Sequence, residues 1–125
     1  MTAPSPWNFL SAHHLLHQVL TLIERSRSYC VLVTAYFDPW PNLESVIRQA
    51  VARGVSVHVI TRSKDCTHNS HEKRAKAIHK MEQFGVQVHE IDWLHTKLYL
   101  NESEAIVSSI NLAASGNGGP NLGVH

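Results

Sequence analysis

Two short segments in the last third of the chain carry side chains that suit phosphate chemistry. His95 and Lys97 lie two positions apart, and Ser109 and Asn111 repeat that spacing further along. An imidazole can attack phosphorus or transfer a proton, an ammonium group supplies a fixed positive charge, and a hydroxyl and an amide can orient oxygens through hydrogen bonds. Together these four groups are suited to a phosphate diester.

The local sequence pattern indicates how these side chains are presented. A strand predicted over residues 94–100 would project His95 and Lys97 from one face of a sheet, because alternate residues of a strand point the same way. A short polar turn and a second strand over residues 105–109 predict a hairpin, which would bring the second pair beside the first. No pair of acidic residues accompanies them at a spacing that would hold Mg²⁺, so we expect chemistry without a metal or other cofactor.

The elements that must position these groups alternate between helix and strand. Apolar spacing predicts helices near residues 8–26, 43–53 and 71–84, and strands over residues 29–36, 55–61 and 86–91. The first of these strands is apolar at both parities, which is typical of a strand covered on both faces. The order of elements, followed by the hairpin, predicts an α/β fold with a mixed β-sheet flanked by helices.

Length and composition limit the class of protein. The chain has 125 residues and two cysteines, so we expect a single domain over residues 1–125 in a reducing, cytoplasmic compartment. A strand pattern that begins at residue 122 and is not completed indicates the N-terminal part of a longer protein, with additional domains as possible partners. The longest nearly apolar stretch is about half the length that a membrane span needs, so we expect no membrane association.

Basic residues cluster although the whole chain is nearly neutral. The formal net charge is +1, which disfavours nucleic-acid binding by bulk electrostatics alone. Residues 62–80, however, contain six Lys and Arg against two Asp and Glu. This segment fits a surface that contacts phosphates and equally fits a solvated helix face. Arg62 and Lys64 are candidate substrate-binding residues, because they follow a strand whose carboxyl end is where α/β sheets bind ligands.

The chemistry-bearing segments resemble a known signature. His95-Thr96-Lys97, the acidic Glu102 and the Ser-Ser-Ile-Asn sequence of residues 108–111 resemble the HKD motif of the phospholipase D superfamily. Residues 31–38 and 52–62 are similar to the first strand, second helix and second strand of that family. Glu102 stands where the family has Asp and is therefore a candidate site residue, although its place in a polar turn also fits a structural role.

The resemblance implies specific roles and a specific assembly. His95 would be the nucleophile in one subunit and the general acid in the other, Lys97 and Asn111 would bind phosphate, and Ser109 would orient it. Family members use two HxK motifs, and the second HxK of this chain, at residues 71–73, falls in a predicted helix where residues two apart diverge. The resemblance thus implies a homodimer that shares one active site, as in the short single-motif bacterial nucleases.

The resemblance also implies a carboxylate that orients the histidine. Many family members place a Glu after the glycine-rich loop, and Asn121 stands at that position here. A carboxylate stabilises an imidazolium better than an amide does. Glu102, Asp92 or a partner chain would therefore have to supply it.

The sequence thus predicts a metal-independent phosphodiesterase, specifically an endonuclease that hydrolyses DNA or RNA through a phosphohistidine intermediate. A lipid phosphodiesterase or phosphatidyl transferase with the same residues stays open. So does a catalytically weak nucleic-acid-binding module of a larger protein.

Two further groups of residues have alternative interpretations. Trp40 and Trp93 could stack on bases or pack in the core. Two groups of residues resemble zinc ligands: Cys66 with His68 and His71, and His13 with His17. Neither group has a convincing fourth ligand, so we expect no metal site.

Overall fold

The computed structural model describes residues 12–63, 71–109 and 112–113. Their elements are α1 (Ala12–Arg25), β1 (Tyr29–Thr34), β2 (Phe37–Asp38), α2 (Pro41–Ala52), β3 (Ser56–Arg62), α3 (His71–Gln83), β4 (Gln87–Ile91), β5 (Leu98–Asn101), β6 (Ala105–Val107) and β7 (Leu112–Ala113). The predicted α/β class is confirmed. Within this part of the chain, no helix combines the length and apolar character that crossing a bilayer requires.

The main sheet has five strands in the order β4-β3-β1-β5-β6. β1, β3 and β4 run parallel, whereas β5 is antiparallel to β1 and β6 is antiparallel to β5. The mixed sheet and the β5–β6 hairpin therefore agree with the sequence pattern. The sequence did not predict the short parallel pairing of β2 with β7, in which Phe37 lies opposite Leu112.

The helices pack on one face of this sheet. Alternate residues of the central strands are completely or almost completely buried there, among them Cys30, Leu32, Val57, Val59 and Tyr99. They form one core with the apolar sides of α1, α2 and α3. Full burial of a single leucine or valine stabilises a fold by roughly 1.5–3 kcal/mol, so this layer dominates the stability of the sheet.

The opposite face of the sheet is more open. Val31, Ile60 and Leu100 are only partly buried and lie outside the core that the helices form, and Val107 on β6 is 82% exposed. On β1 itself, however, Val33 of this face is buried and Val31 is half-buried, so the prediction of a strand covered on both faces holds for part of its length. The apolar parity of β1 reflects a central position between β3 and β5 and does not require two helix layers.

Glycines end the second and third helices. Gly54 follows α2 with a φ of +91°, and Gly85 follows α3 with a φ of +99°. Left-handed backbone at a helix end favours glycine because a side chain would be strained there. At Gly85 a Cβ atom would also lie 3.0 Å from the Val51 side chain, so close helix packing adds to the requirement.

Candidate active site

Most of the predicted site residues that the structure describes gather at one edge of the sheet. The carboxyl ends of β1, β3 and β4 share this edge because the three strands are parallel. β5 is antiparallel and begins here, with Leu98 opposite Val33. Arg62 at the end of β3 and Lys97 just before β5 therefore belong to the edge where α/β sheets bind ligands.

The segment that carries His95 and Lys97 is a crossing connection. Residues 92–97 join β4 to β5, and β3 and β1 lie between these two strands in the sheet. The segment must cover three inter-strand spacings, roughly 14 Å, which six residues can span because their reach is roughly 20 Å. It consequently passes along the carboxyl ends of β3 and β1.

The conformation of this segment corrects one sequence prediction. The strand starts only at Leu98, so His95 and Lys97 do not project from a strand as expected. His95 is exposed and Lys97 is half-buried. The Lys97 ammonium group donates a hydrogen bond to the main-chain oxygen of His95, at 3.0 Å. This hydrogen bond from side chain to main chain, and not the parity of a strand, joins the two residues.

The hairpin brings the second segment to the same place. The main-chain N–H of Ser108 donates to the carbonyl oxygen of Lys97 at 3.0 Å, and Leu98 pairs with Val107. Ser109 is exposed and follows directly. The structure therefore brings Ser109 to the edge that carries Lys97.

Asn111 and Lys64 lie outside the described residues, so their predicted roles stay predictions. The residue after Asn111 is fixed, however. The N–H of Leu112 donates to the Thr34 hydroxyl at 3.1 Å, and that hydroxyl donates to the carbonyl of Tyr36 at 2.8 Å. Leu112 is completely buried. β7 is thereby attached to the carboxyl end of β1.

Arg62 and the end of β4 complete the described part of the edge. The Arg62 guanidinium lies over the Tyr36 ring, 6.0 Å from its centre. The next residue, Ser63, donates its N–H to the carbonyl of Ile91 at 3.1 Å and its hydroxyl to the Asp92 carboxylate. Asp92, one candidate for orienting His95, thus contacts the chain that follows β3.

Glu102 is the predicted site residue that the structure separates from the others. It follows β5, whereas Lys97 precedes it, and five residues of extended chain cover roughly 16 Å. Its carboxylate accepts hydrogen bonds from the N–H groups of Ser28 at 2.9 Å, Arg27 at 3.1 Å and Tyr29 at 3.3 Å. These bonds, chiefly the one from Ser28, hold the pKa of Glu102 below its usual value.

Glu102 therefore has a structural role: from the turn between β5 and β6 it binds the N–H groups of the turn before β1. Its position in a polar turn, visible in the sequence, already fitted such a role.

Metal ligands do not gather in the described part of the chain. There, no three His, Cys, Asp or Glu side chains lie together as a metal site requires. His17 is exposed on α1. The possible ligands Cys66 and His68 fall outside the described residues, and so do the side chains of His13 and His71.

Similarities to known proteins are found in one family model and in solved structures. The family model described as cardiolipin synthase, PLD-like domain, matches residues 19–121. The fold is similar to the crystal structure of the phospholipase D family member Nuc from Salmonella typhimurium, with a TM-score of 0.67 and 17% identity over 85% of this chain and 69% of that chain.

A second similar structure is the archaeal chromatin protein TrmBL2, described as showing a novel mode of DNA binding. The TM-score is 0.56, with 18% identity over 79% of this chain and 37% of that chain. No curated protein matches by sequence.

Proposed function

Because the chain belongs to the phospholipase D superfamily, we propose that it is a metal-independent nuclease that hydrolyses phosphodiester bonds of DNA or RNA as a homodimer. The observation that carries the proposal is the joining of His95, Lys97 and Ser109 at the carboxyl edge of the sheet. Each chain contributes one such set, and the chemistry of the superfamily needs two histidines. A two-fold axis beside this edge would bring the two copies of His95 together.

The reaction follows from the charges of these groups. The neutral imidazole of one His95 attacks phosphorus, a P–N bond forms, and the P–O bond to the leaving group breaks as the partner subunit's His95 donates its proton to that oxygen. The second histidine, now neutral, takes a proton from water. The resulting hydroxide attacks phosphorus, and the P–N bond breaks to release the phosphate product and a neutral His95.

Lys97 contributes a fixed positive charge to this reaction. Among the described residues its ammonium group contacts a neutral carbonyl and not a carboxylate, so its charge remains available to non-bridging phosphate oxygens. Stabilisation of developing negative charge by preorganised donors is usually the largest catalytic contribution. Ser109, and Asn111 by analogy with the family, would donate further hydrogen bonds to the same oxygens.

Two observations support a nucleic acid as the substrate. Arg62 places a cation at the same edge, stacked on an aromatic ring, as suits a polymer of phosphates and bases. TrmBL2, one of the similar folds, is a protein described by its DNA binding. The family model, by contrast, is named for cardiolipin synthase, which makes phosphatidyl transfer the second candidate.

Hydrolysis assays in excess chelator test the proposal. Labelled single-stranded DNA, duplex DNA, RNA and phosphatidylglycerol vesicles are each incubated with wild type, with His95→Ala and with the control His79→Ala, which changes an exposed histidine of α3. We expect cleavage of a nucleic acid, a loss of at least about a thousandfold in His95→Ala, and normal activity in the control. Turnover of the lipid alone would identify the second candidate, and equal turnover by all three proteins would exclude both.

Subunit mixing tests the shared site separately. If each active site needs His95 from both chains, a mixed dimer is inactive, and activity follows the square of the wild-type fraction. Equal amounts of wild type and His95→Ala are unfolded and refolded together, and their activity is compared with that of the same total amount of wild type. A shared site should retain about a quarter of that activity, whereas independent sites would retain about half. The pH profile should be bell-shaped, because one imidazole must be neutral while the other is protonated.

A further inference from the structure

Trp93 combines two unusual features beside the proposed catalytic residue. Its side chain is 72% exposed, and its φ of 59° lies in the left-handed region. That conformation costs a bulky residue about 1–3 kcal/mol. Exposure also forgoes the stabilisation that burying an aromatic ring would give. The fold therefore holds an indole outward at a cost.

Contacts on both sides keep the backbone at Trp93 in place. Before it, the carbonyl of Ile91 and the carboxylate of Asp92 accept hydrogen bonds from Ser63 at the end of β3. After it, the carbonyl of Lys97 accepts a hydrogen bond from the main-chain N–H of Ser108 at 3.0 Å. The crossing segment is thus attached at both ends.

The surroundings of Trp93 indicate what its ring contacts. Asp92, His95 and Thr96 of the same segment are exposed and polar, and Ile91 at the end of β4 is 47% exposed. Trp93 is therefore the one exposed apolar ring of residues 92–97, and polar side chains flank it. The Cα atoms of Trp93 and His95 are at most about 7 Å apart, since the two residues are two positions apart in the chain. A planar group next to the reacting phosphate would lie within reach of the indole.

We propose that Trp93 is a stacking platform for an unpaired nucleobase adjacent to the scissile phosphate. This inference rests on the proposed nuclease function and specifies its substrate as single-stranded nucleic acid. A base inside a duplex is already stacked on both faces, whereas an unpaired base can place one face on an indole. The indole accepts any base, so it favours single strands without reading their sequence.

Binding measurements in a His95→Ala background test the platform without requiring turnover. Fluorescence anisotropy follows a labelled single-stranded DNA oligomer, its duplex, and an oligomer of abasic sugars with the same number of phosphates. Loss of a base stack should weaken single-strand binding roughly 5- to 150-fold in Trp93→Ala, the equivalent of about 1–3 kcal/mol. Binding of the abasic oligomer should not change, because it has no base to stack.

Three further variants separate stacking from other effects. Trp93→Phe should restore most of the affinity because it keeps an aromatic face. Trp93→Gly, which removes the strain, should unfold at a higher temperature than Trp93→Ala and yet bind as weakly. Tyr29→Ala changes an exposed aromatic at the opposite end of β1 and should bind like the parent.

The same experiments distinguish failure of the two proposals. If the wild type cleaves no nucleic acid but Trp93→Ala still weakens oligomer binding selectively, the nuclease assignment fails, and Trp93 is a base-stacking residue of a site that only binds single strands. Equal binding of single strands by Trp93→Ala and its parent overturns the platform. So does dissociation of a dimer on substitution of Trp93, or weaker binding to phosphatidylglycerol vesicles with unchanged oligomer binding.

Discussion

Asn101 fixes the hairpin that brings Ser109 to Lys97, and its removal has a calculable cost. The Asn101 side chain is buried. Its amide nitrogen donates to the carbonyl of Leu22 at 3.0 Å, and its amide oxygen accepts from the N–H groups of Ser103 at 2.8 Å and Glu104 at 2.9 Å. The residue therefore joins α1 to the turn between β5 and β6.

Asn101→Ala removes all three hydrogen bonds. At roughly 0.5–1.5 kcal/mol each, the free energy of unfolding should fall by about 3 kcal/mol. For a chain of this length that loss lowers Tm by about 10 °C.

Urea denaturation measures these differences, with Asn42→Ala as the control because Asn42 is exposed on α2. Activity per folded molecule should persist in Asn101→Ala at low temperature, since Asn101 is at the far end of β5 from Lys97. If Asn101→Ala is as stable as the control, the reasoning is refuted. The hydrogen bond from the main-chain N–H of Asn101 to the carbonyl of Glu104 would then suffice to fix the turn.

Three other predictions follow from individual side chains. The lowered pKa of Glu102 means that its carboxylate stabilises the fold above about pH 4.3, the value of an unfolded glutamate. Glu102→Gln should therefore be less stable than wild type at pH 7, and the gap measured by urea titration should close as pH falls through the lowered folded pKa. Thr34→Val leaves the buried N–H of Leu112 without its acceptor, so the free energy of unfolding should fall by about 1–3 kcal/mol and activity should fall with it. Unchanged stability and activity would contradict the anchoring of β7. Burial raises the pKa of Cys30 to about 12. In a Cys66→Ser variant, which leaves Cys30 as the single thiol, a disulfide reagent should modify Cys30 only after unfolding. Rapid reaction of the native protein at pH 8 would show that the thiol is accessible.

The regular elements were the most predictable part of the molecule. The stripe of Leu43, Val46, Ile47 and Ala50 is the buried side of α2, and the alternation in residues 55–61 corresponds to β3 with Val57 and Val59 buried. These patterns are reliable because burial of one face repeats with the period of the backbone. The fold class depends on such repeats alone.

The site was predictable in composition and less so in geometry. Leu94, Leu98 and Leu100 share the parity of a strand, and the pattern therefore extended the predicted strand back over His95 and Lys97. Periodicity cannot show where a segment lacks a neighbouring strand for its hydrogen bonds, because that depends on sheet order. Glu102 raises the same difficulty, since motif spacing places it near Lys97 in sequence while the direction of β5 places it at the other end of the sheet.

Sheet order explains why the candidate catalytic residues lie in irregular chain. β5 joins the sheet on the far side of β1 from β4, so the connection between them has to cross the carboxyl edge where β1 and β3 end. If β5 paired directly with β4, the connection would not cross the carboxyl ends of β3 and β1, and His95 would not lie there. Extended, anchored chain of this kind can expose an imidazole, an ammonium group and an indole within a few residues, which a buried strand could not do. The site thus depends on the position of one antiparallel strand, and a variant that alters the pairing of β5 with β1 should lose activity before it loses the core that α1, α2 and α3 form.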